Sequence, residues 1–463
     1  MFSMGPAMNP NDDPFEPSVR LPGCSCGRHA DQAAHDAQSG RPIDHGDLGQ
    51  LTRRGLEGAV MRALFPSDAQ RRRFLRAVGS GTALAAISQL IPFGMLQAQA
   101  AEPAAPPEKR NLKIGYLPIT CASPLLIAQQ NGYFHDAGLQ VELLKTPGWA
   151  LVRDKTINRD FDAAQMLAPM PVSMALGAGS SAAPTVAALM DNVNGSAITL
   201  AMRHKDRRDP AQWKGFRLAI PFDYSIHNFL LREYLAQHGL DPDHDVQLRV
   251  MAPPDMLANL AGGNLDGFIV AEPFNQRAVF EGIGFIHTLS VDLWRGHPCC
   301  TLAMEADFAS RQPNTYAALV RAMLRSAAYL NVPANRDAIV DTLAQPKFLN
   351  QPKIVVKQVL TGTYADGLGQ VRSEPQRIGF QPFPWPSMAV WILAEMKRWN
   401  YIKGDVDYRQ IAERVFRATD ARAAMRKAGM HAPDEDMQDY QILGRKFDPK
   451  KPDAYLKALS AKA

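Results

Sequence analysis

From Asn111 onward the chain alternates two kinds of pattern: short apolar runs, and stretches whose apolar residues recur every three or four positions. Leu112, Ile114 and Tyr116 mark a strand. Residues 124–131 have helical spacing, and residues 140–144 form a second apolar run. Strand, helix and strand within so short a stretch predict a βαβ unit and a parallel sheet. The alternation continues with a helix at 151–158, a short strand at 161–164, a helix at 170–176 and strands at 186–189 and 198–202. A second run opens at Trp213. It predicts a strand ending at Ile220, then a helix over 227–238 that carries Phe229, Leu230, Tyr234 and Leu235 on one face. A strand at 246–250, a helix at 254–261 and a strand at 265–270 follow. The remainder reads as helical over 314–344, 382–397 and 407–428, with a charged tail from Pro433. The fold class is therefore α/β, with two open sheets, hence two lobes, and a crevice beyond the carboxyl ends of the strands. The boundaries this implies are 111–212 for the first part of lobe 1, 213–298 for lobe 2, 299–430 for the return to lobe 1 with C-terminal helices, and 431–463 for the tail.

The first 110 residues follow neither pattern. Gln70-Arg71-Arg72-Arg73-Phe74-Leu75-Arg76 resembles a twin-arginine export signal. A moderately apolar stretch runs from 77 to 96, and Ala98-Gln99-Ala100 offers a small-x-small cleavage site before Ala101. Gly79, Gly81, Ser88, Gln89 and Pro92 make the stretch too polar for a permanent anchor. Residues 71–100 are thus expected to be a removable signal and 101–110 a Pro-rich linker. Residues 1–70 are expected to be a disordered extension, unless Met61 is the true start.

Composition narrows the class. Hydrophobic residues make up 46% of the chain and charged ones 21%, enough for a sizeable core. Net charge is only +5, and Arg71, Arg72, Arg73 and Arg76 cluster in the leader. No basic stripe interleaved with aromatics follows, which argues against a nucleic-acid partner. The five cysteines, Cys24, Cys26, Cys121, Cys299 and Cys300, do not form a disulfide framework. Cys24-Ser-Cys26 with His29 could bind a metal, but two closely spaced thiols and one imidazole are a weak signal, and a leader remnant without metal is expected. His297-Pro298-Cys299-Cys300 invites a Cys–His nucleophile, but no orienting partner or oxyanion motif accompanies it. Buried small residues at a crossover strand explain these cysteines instead.

Five strings, in order, carry a family resemblance. They are Leu112-Lys113-Ile114-Gly115-Tyr116-Leu117-Pro118, Gly148-Trp149-Ala150-Leu151-Val152-Arg153-Asp154-Lys155, and Asp162-Ala163-Ala164-Gln165-Met166-Leu167-Ala168-Pro169-Met170-Pro171; then Ser225-Ile226-His227-Asn228, and Gly263-Asn264-Leu265-Asp266-Gly267-Phe268-Ile269-Val270-Ala271-Glu272-Pro273-Phe274. Together they resemble the nitrate- and bicarbonate-binding proteins of ABC importers, over residues 111–430. The resemblance implies a two-lobed periplasmic-binding-protein type II fold closing on a small inorganic anion, with nitrate or nitrite foremost. Bicarbonate, cyanate and sulfonate binders share the fold, as do nitrate-sensing regulators. The implied partners are an ABC permease and its ATPase subunits. The implied location is the periplasm, with membrane contact only through the permease or the leader. No enzymatic activity is implied.

A small oxyanion stripped of water needs donors from all sides: helix N-termini, amides, an indole N–H or an imidazole. Four residues are candidates. Trp149 follows a Pro-Gly turn, and Gly148 would let backbone approach closely; the alternative is a core tryptophan. Gln165 sits among Ala, Met and Leu, where an amide is costly without a partner. It either contacts the anion, as the resemblance implies, or is a structural amide. His227 opens a helix, facing either the anion or solvent. Glu272 lies where a strand ends, and a carboxylate beside an anion repels it unless a cation intervenes. Arg277 one turn on could neutralise it, or calcium could co-bind there, as in bicarbonate-type relatives. Otherwise no cofactor is expected. Arg153 and Lys155 are expected on a solvated face.

Overall fold

The computed structural model describes residues 105–460. The expected signal and extension, together with Cys24, Cys26 and His29, lie outside the described residues.

Ten strands and one shorter one build the two main sheets of the described residues. In chain order they are β1 Asn111–Tyr116, β2 Gln140–Lys145, β3 Ala163–Leu167, β4 Thr185–Asn194, β5 Ser196–Ala201, β6 Arg217–Ile220, β7 Gln247–Val250, β8 Gly267–Ala271, β9 Gly284–Leu289 and β10 Pro298–Glu305. The first sheet runs β4-β10-β3-β1-β2, with the short strand Ile378–Gly379 added outside β4; the second runs β7-β6-β8-β5-β9. Each lobe repeats one plan. Its parallel strands follow βαβ connections, and the strand that arrives from the other lobe is inserted antiparallel: β10 beside β3 in the first sheet, β5 beside β8 in the second.

The changeover between sheets is at Gly195, not at 213 as the sequence reading placed it, because β5 is already a strand of the second sheet. Asn194 and Gly195 take φ of 57° and 80°, the left-handed region. A Cβ at Gly195 would lie 3.1 Å from both the Asn192 amide nitrogen and the Ile378 side chain. The turn therefore needs glycine at its second position and suits asparagine at its first. The strand that returns to the first sheet, β10, begins at Pro298.

Three large apolar clusters, and a small one of Ala197, Ile286, Leu289, Val291 and Tyr364, organise the interior of the described residues. One lies between the first sheet and the helices Ser123–Gln130 and Pro313–Leu330. A second joins the helix Ile226–Gln237 to the helix Pro386–Arg398. The third draws Leu117, Cys121, Trp149 and Met166 from the first lobe against Ala219, Phe222, Val270 and Ala271 from the second. It is the floor of the space between the sheets.

The tail is not merely a charged surface strand. Tyr440, Ile442, Phe447, Tyr455 and Leu459 are buried in the second cluster, so its apolar residues anchor it. The Tyr455 hydroxyl donates to Glu233. Burial pushes the Glu233 carboxyl up to about 8 from the ordinary 4.5, with Glu395 close by adding to the effect. The folded protein keeps this proton where the unfolded chain has released it, so stability falls as pH rises from about 4.5 to about 8. Glu233→Gln is expected to flatten that part of the stability curve, as read from melting temperature against pH beside the wild type. Equal slopes in the two proteins would contradict the assignment.

Candidate functional site

The third cluster is bordered by β3 and by the segments that follow β1, β2, β6 and β8. The candidate side chains come from β3 itself and from the segments after β2, β6 and β8.

Trp149 is the first residue of the helix Trp149–Ile157 and is 2% exposed. Its Nε1–H has no hydrogen-bond partner. Gly148 does not act as expected: its φ of −168° is ordinary extended backbone, and an added Cβ would meet nothing within 4 Å. What sets the indole is its place in the first turn, packed among Leu117, Met166 and Phe222.

Gln165 lies in the middle of β3 rather than at its end. Its backbone is committed to the ladder with β10, and its side chain turns to the loop after β1. Oε1 accepts from the Leu117 N–H at 3.2 Å, which fixes the amide so that Nε2 is left without a partner. A wholly buried amide half satisfied in this way is costly unless something occupies the other half.

His227 is wholly buried, not solvent-facing. It is the second residue of the helix that follows β6, capped by the Ser225 hydroxyl accepting from the Asn228 N–H at 3.0 Å. Its Nε2 lies 2.9 Å from the Ser196 hydroxyl at the start of β5. In the tautomer in which Ser196 donates to Nε2, the free N–H is at Nδ1, and Nδ1 is without a partner. Three of the four candidates thus carry a buried nitrogen with no partner among the described residues. All three border the same interlobe cluster.

Glu272 departs from expectation. It is wholly buried, and Arg377 Nη2 donates to its Oε1. The Gln276 N–H donates to Oε2 at 3.2 Å. Arg377 Nη1 continues to Gln276 Oε1 at 2.8 Å, and its guanidinium lies 4.4 Å from the centre of the Tyr364 ring. Arg277, the expected counter-charge, instead pairs with Glu281 at 2.5 Å. With both oxygens engaged and a guanidinium alongside, Glu272 does not suit calcium, which would have to displace that cation. Its backbone does span the crevice: the Thr120 N–H and hydroxyl both donate to the Glu272 carbonyl at 2.9 Å.

The sequence reading missed two groups. Arg377 gave no local signal, since its partner is 105 residues away. Asp191, on β4 near the changeover, is wholly buried with neither carboxylate oxygen partnered, and burial raises its pKa well above the ordinary value. A neutral carboxyl there is a further possible donor to an anion. Both nitrogens of His297 are engaged, Nε2 with the Ser290 hydroxyl at 2.8 Å and Nδ1 with the Pro298 carbonyl at 3.1 Å. Burial lowers its pKa to about 4. That leaves it no free nitrogen to activate a thiol. Arg153 and Lys155 pair with Asp154 and Asp160, at 2.8 and 3.2 Å. A concavity of about 1260 Å³ lies along the β2 edge among Lys109, Lys113, Lys145 and Glu142, away from these donors. It is an open groove of mixed charge with no unpartnered buried donor, so the candidate site is the interlobe one.

Comparison with known proteins agrees with this architecture. The crystal structure of the periplasmic nitrate-binding protein NrtA from Synechocystis superposes with a TM-score of 0.74 at 27% identity, covering 76% of this chain and 99% of that one. The nitrate/nitrite binding protein NrtA of Synechococcus elongatus is 30% identical over 77% of this chain and 88% of its own length. The nitrate import ATP-binding protein NrtC of Synechocystis is 34% identical over 76% of this chain; there the match spans 55%, about half, of the relative's length. The fold is thus the two-lobed α/β fold of periplasmic binding proteins. The profile of the NMT1-like family matches residues 105–344, more than half of the chain, and the protein belongs to that family.

Proposed function

We propose that this protein captures a small inorganic anion, nitrate or nitrite, between its two sheets and delivers it to the permease and ATPase subunits of an ABC importer. It does no chemistry on the anion and requires no cofactor to hold it. Export through the twin-arginine pathway to the periplasm fits the leader sequence, and no helix among the described residues is long and apolar enough to cross a membrane.

The observation that carries this reading is the set of unpartnered buried donors, Trp149 Nε1, Gln165 Nε2 and His227 Nδ1. Each is a nitrogen that can give a hydrogen bond, and each borders a water-poor apolar floor. Directed donors in such surroundings replace the hydration of an anion, where Coulomb attraction and hydrogen bonds are both stronger than in water. They come from the two lobes, so an anion that satisfies all three bridges them and favours closure. The nitrate- and nitrite-binding relatives support the choice of ligand.

The test is calorimetric titration of the purified protein with nitrate, nitrite, bicarbonate, cyanate and a small sulfonate, with and without calcium. Nitrate or nitrite is expected to bind one to one, unaffected by calcium. Tight binding of bicarbonate alone, or binding that requires calcium, would replace this assignment.

A further inference from the structure

One group of side chains next to the proposed anion donors is left unused by that reading. Cys121 stands on the short 3-10 helix Thr120–Ala122 after β1, while Cys299 and Cys300 are neighbours on β10. All three are wholly buried free thiols. The Cys121 and Cys299 sulfurs are 3.5 Å apart, those of Cys299 and Cys300 are 3.9 Å apart, and all three lie within 4.8 Å of one another.

Adjacent residues on a regular strand point to opposite faces. Here the pairing of β10 with β4 slips between Pro298 and Cys300 and again between Cys300 and Thr301. Such irregularities re-aim side chains, and this one lets two consecutive thiols share a side. The Cys300 N–H is held by Asn192 Oδ1 at 3.2 Å, which pins the irregular backbone.

Three sulfurs around one metal at about 2.3 Å stand roughly 3.8–4.0 Å apart. The observed spacing is close to that. A second observation points the same way. Asp191, with both oxygens unpartnered, stands on β4 next to Asn192, the register partner of Cys300, and the Ser196 hydroxyl lies 3.9 Å from the Cys299 sulfur.

We propose that Cys121, Cys299 and Cys300 form a three-sulfur site for a thiophilic metal or metalloid ion. Thiolates select soft centres. Burial decides further among them, because a buried net charge is expensive. Three thiolates leave a monovalent ion with two surplus negative charges and a divalent ion with one. A trivalent metalloid such as arsenic(III) leaves none. Its uncharged hydroxide would exchange three As–O bonds for three As–S bonds. The three thiol protons leave with the three hydroxides as water, and nothing is oxidised or reduced.

The test uses the full chain with Cys24→Ser and Cys26→Ser, so that only these three thiols remain, kept reduced and free of oxygen. Arsenous acid is added, and native mass spectrometry and thiol counting follow. One arsenic gained and three hydrogens lost, with loss of all three reactive thiols, is the expected result. Cys121→Ser, Cys299→Ser and Cys300→Ser are each expected to abolish tight uptake while leaving the circular dichroism spectrum unchanged. Trp149→Phe is expected to keep the arsenic while losing anion affinity, which separates this site from the anion reading. No uptake by the folded protein, or uptake that survives Cys121→Ser, would overturn the proposal. So would a Cys121–Cys299 disulfide in the protein as isolated from its own cellular compartment. Uptake of zinc with rejection of arsenic would overturn the charge argument.

Discussion

Arg377→Ala is expected to lower the free energy of unfolding by about 3–5 kcal/mol, the largest effect of any single substitution argued here. Both members of the Arg377–Glu272 pair are fully inaccessible. Truncating the arginine strands a carboxylate with no counter-charge, and the remaining donor, the Gln276 N–H, cannot replace a guanidinium. The Tyr364 ring also loses the cation stacked on it. Urea unfolding followed by fluorescence measures the loss. Replacing both partners, Arg377→Met with Glu272→Gln, is expected to recover most of it, because the cost lies in the unpaired charge more than in the absence of a bond. A loss below about 1 kcal/mol for Arg377→Ala would place the pair in solvent-like surroundings, against its burial.

Trp149→Phe is expected to weaken nitrate binding roughly 10–100-fold, the equivalent of about 1.5–3 kcal/mol for one hydrogen bond to a charged group. The substitution keeps an aromatic ring in the apolar cluster of Leu117 and Met166 and removes an indole N–H that has no partner among the described residues. Because that N–H makes no bond in the protein alone, its loss costs the fold little. Melting temperature is therefore expected to stay nearly constant while calorimetric affinity drops. Unchanged affinity with an intact fold would move the anion away from Trp149. Gln165 is a poorer probe, since shortening it also frees the buried Leu117 N–H that its carbonyl now satisfies.

Apolar periodicity was enough to assign the α/β class and most of the strands, because strands and helices bury one face with periods that local sequence records directly. The helix expected over 227–238 is an example, observed at Ile226–Gln237. Trp149 and Gln165 stood out for a related reason, because an indole or an amide set among apolar neighbours must find a partner or supply a ligand. Whether they and His227 hold the anion is what the titration tests. Only the tertiary structure decided who neutralises Glu272. Local spacing pointed to Arg277, but the chain returns Arg377 to the spot from 105 residues away. The changeover at Gly195 was likewise invisible, since β5 has the same apolar character whichever sheet it joins. The three thiols were legible as cysteines but not as a set. Their meeting depends on a slipped strand register and on a loop from the far side of the first sheet. Sequence fixes what a residue must have around it; which distant segment provides it is settled by packing, where long-range contacts carry no local trace.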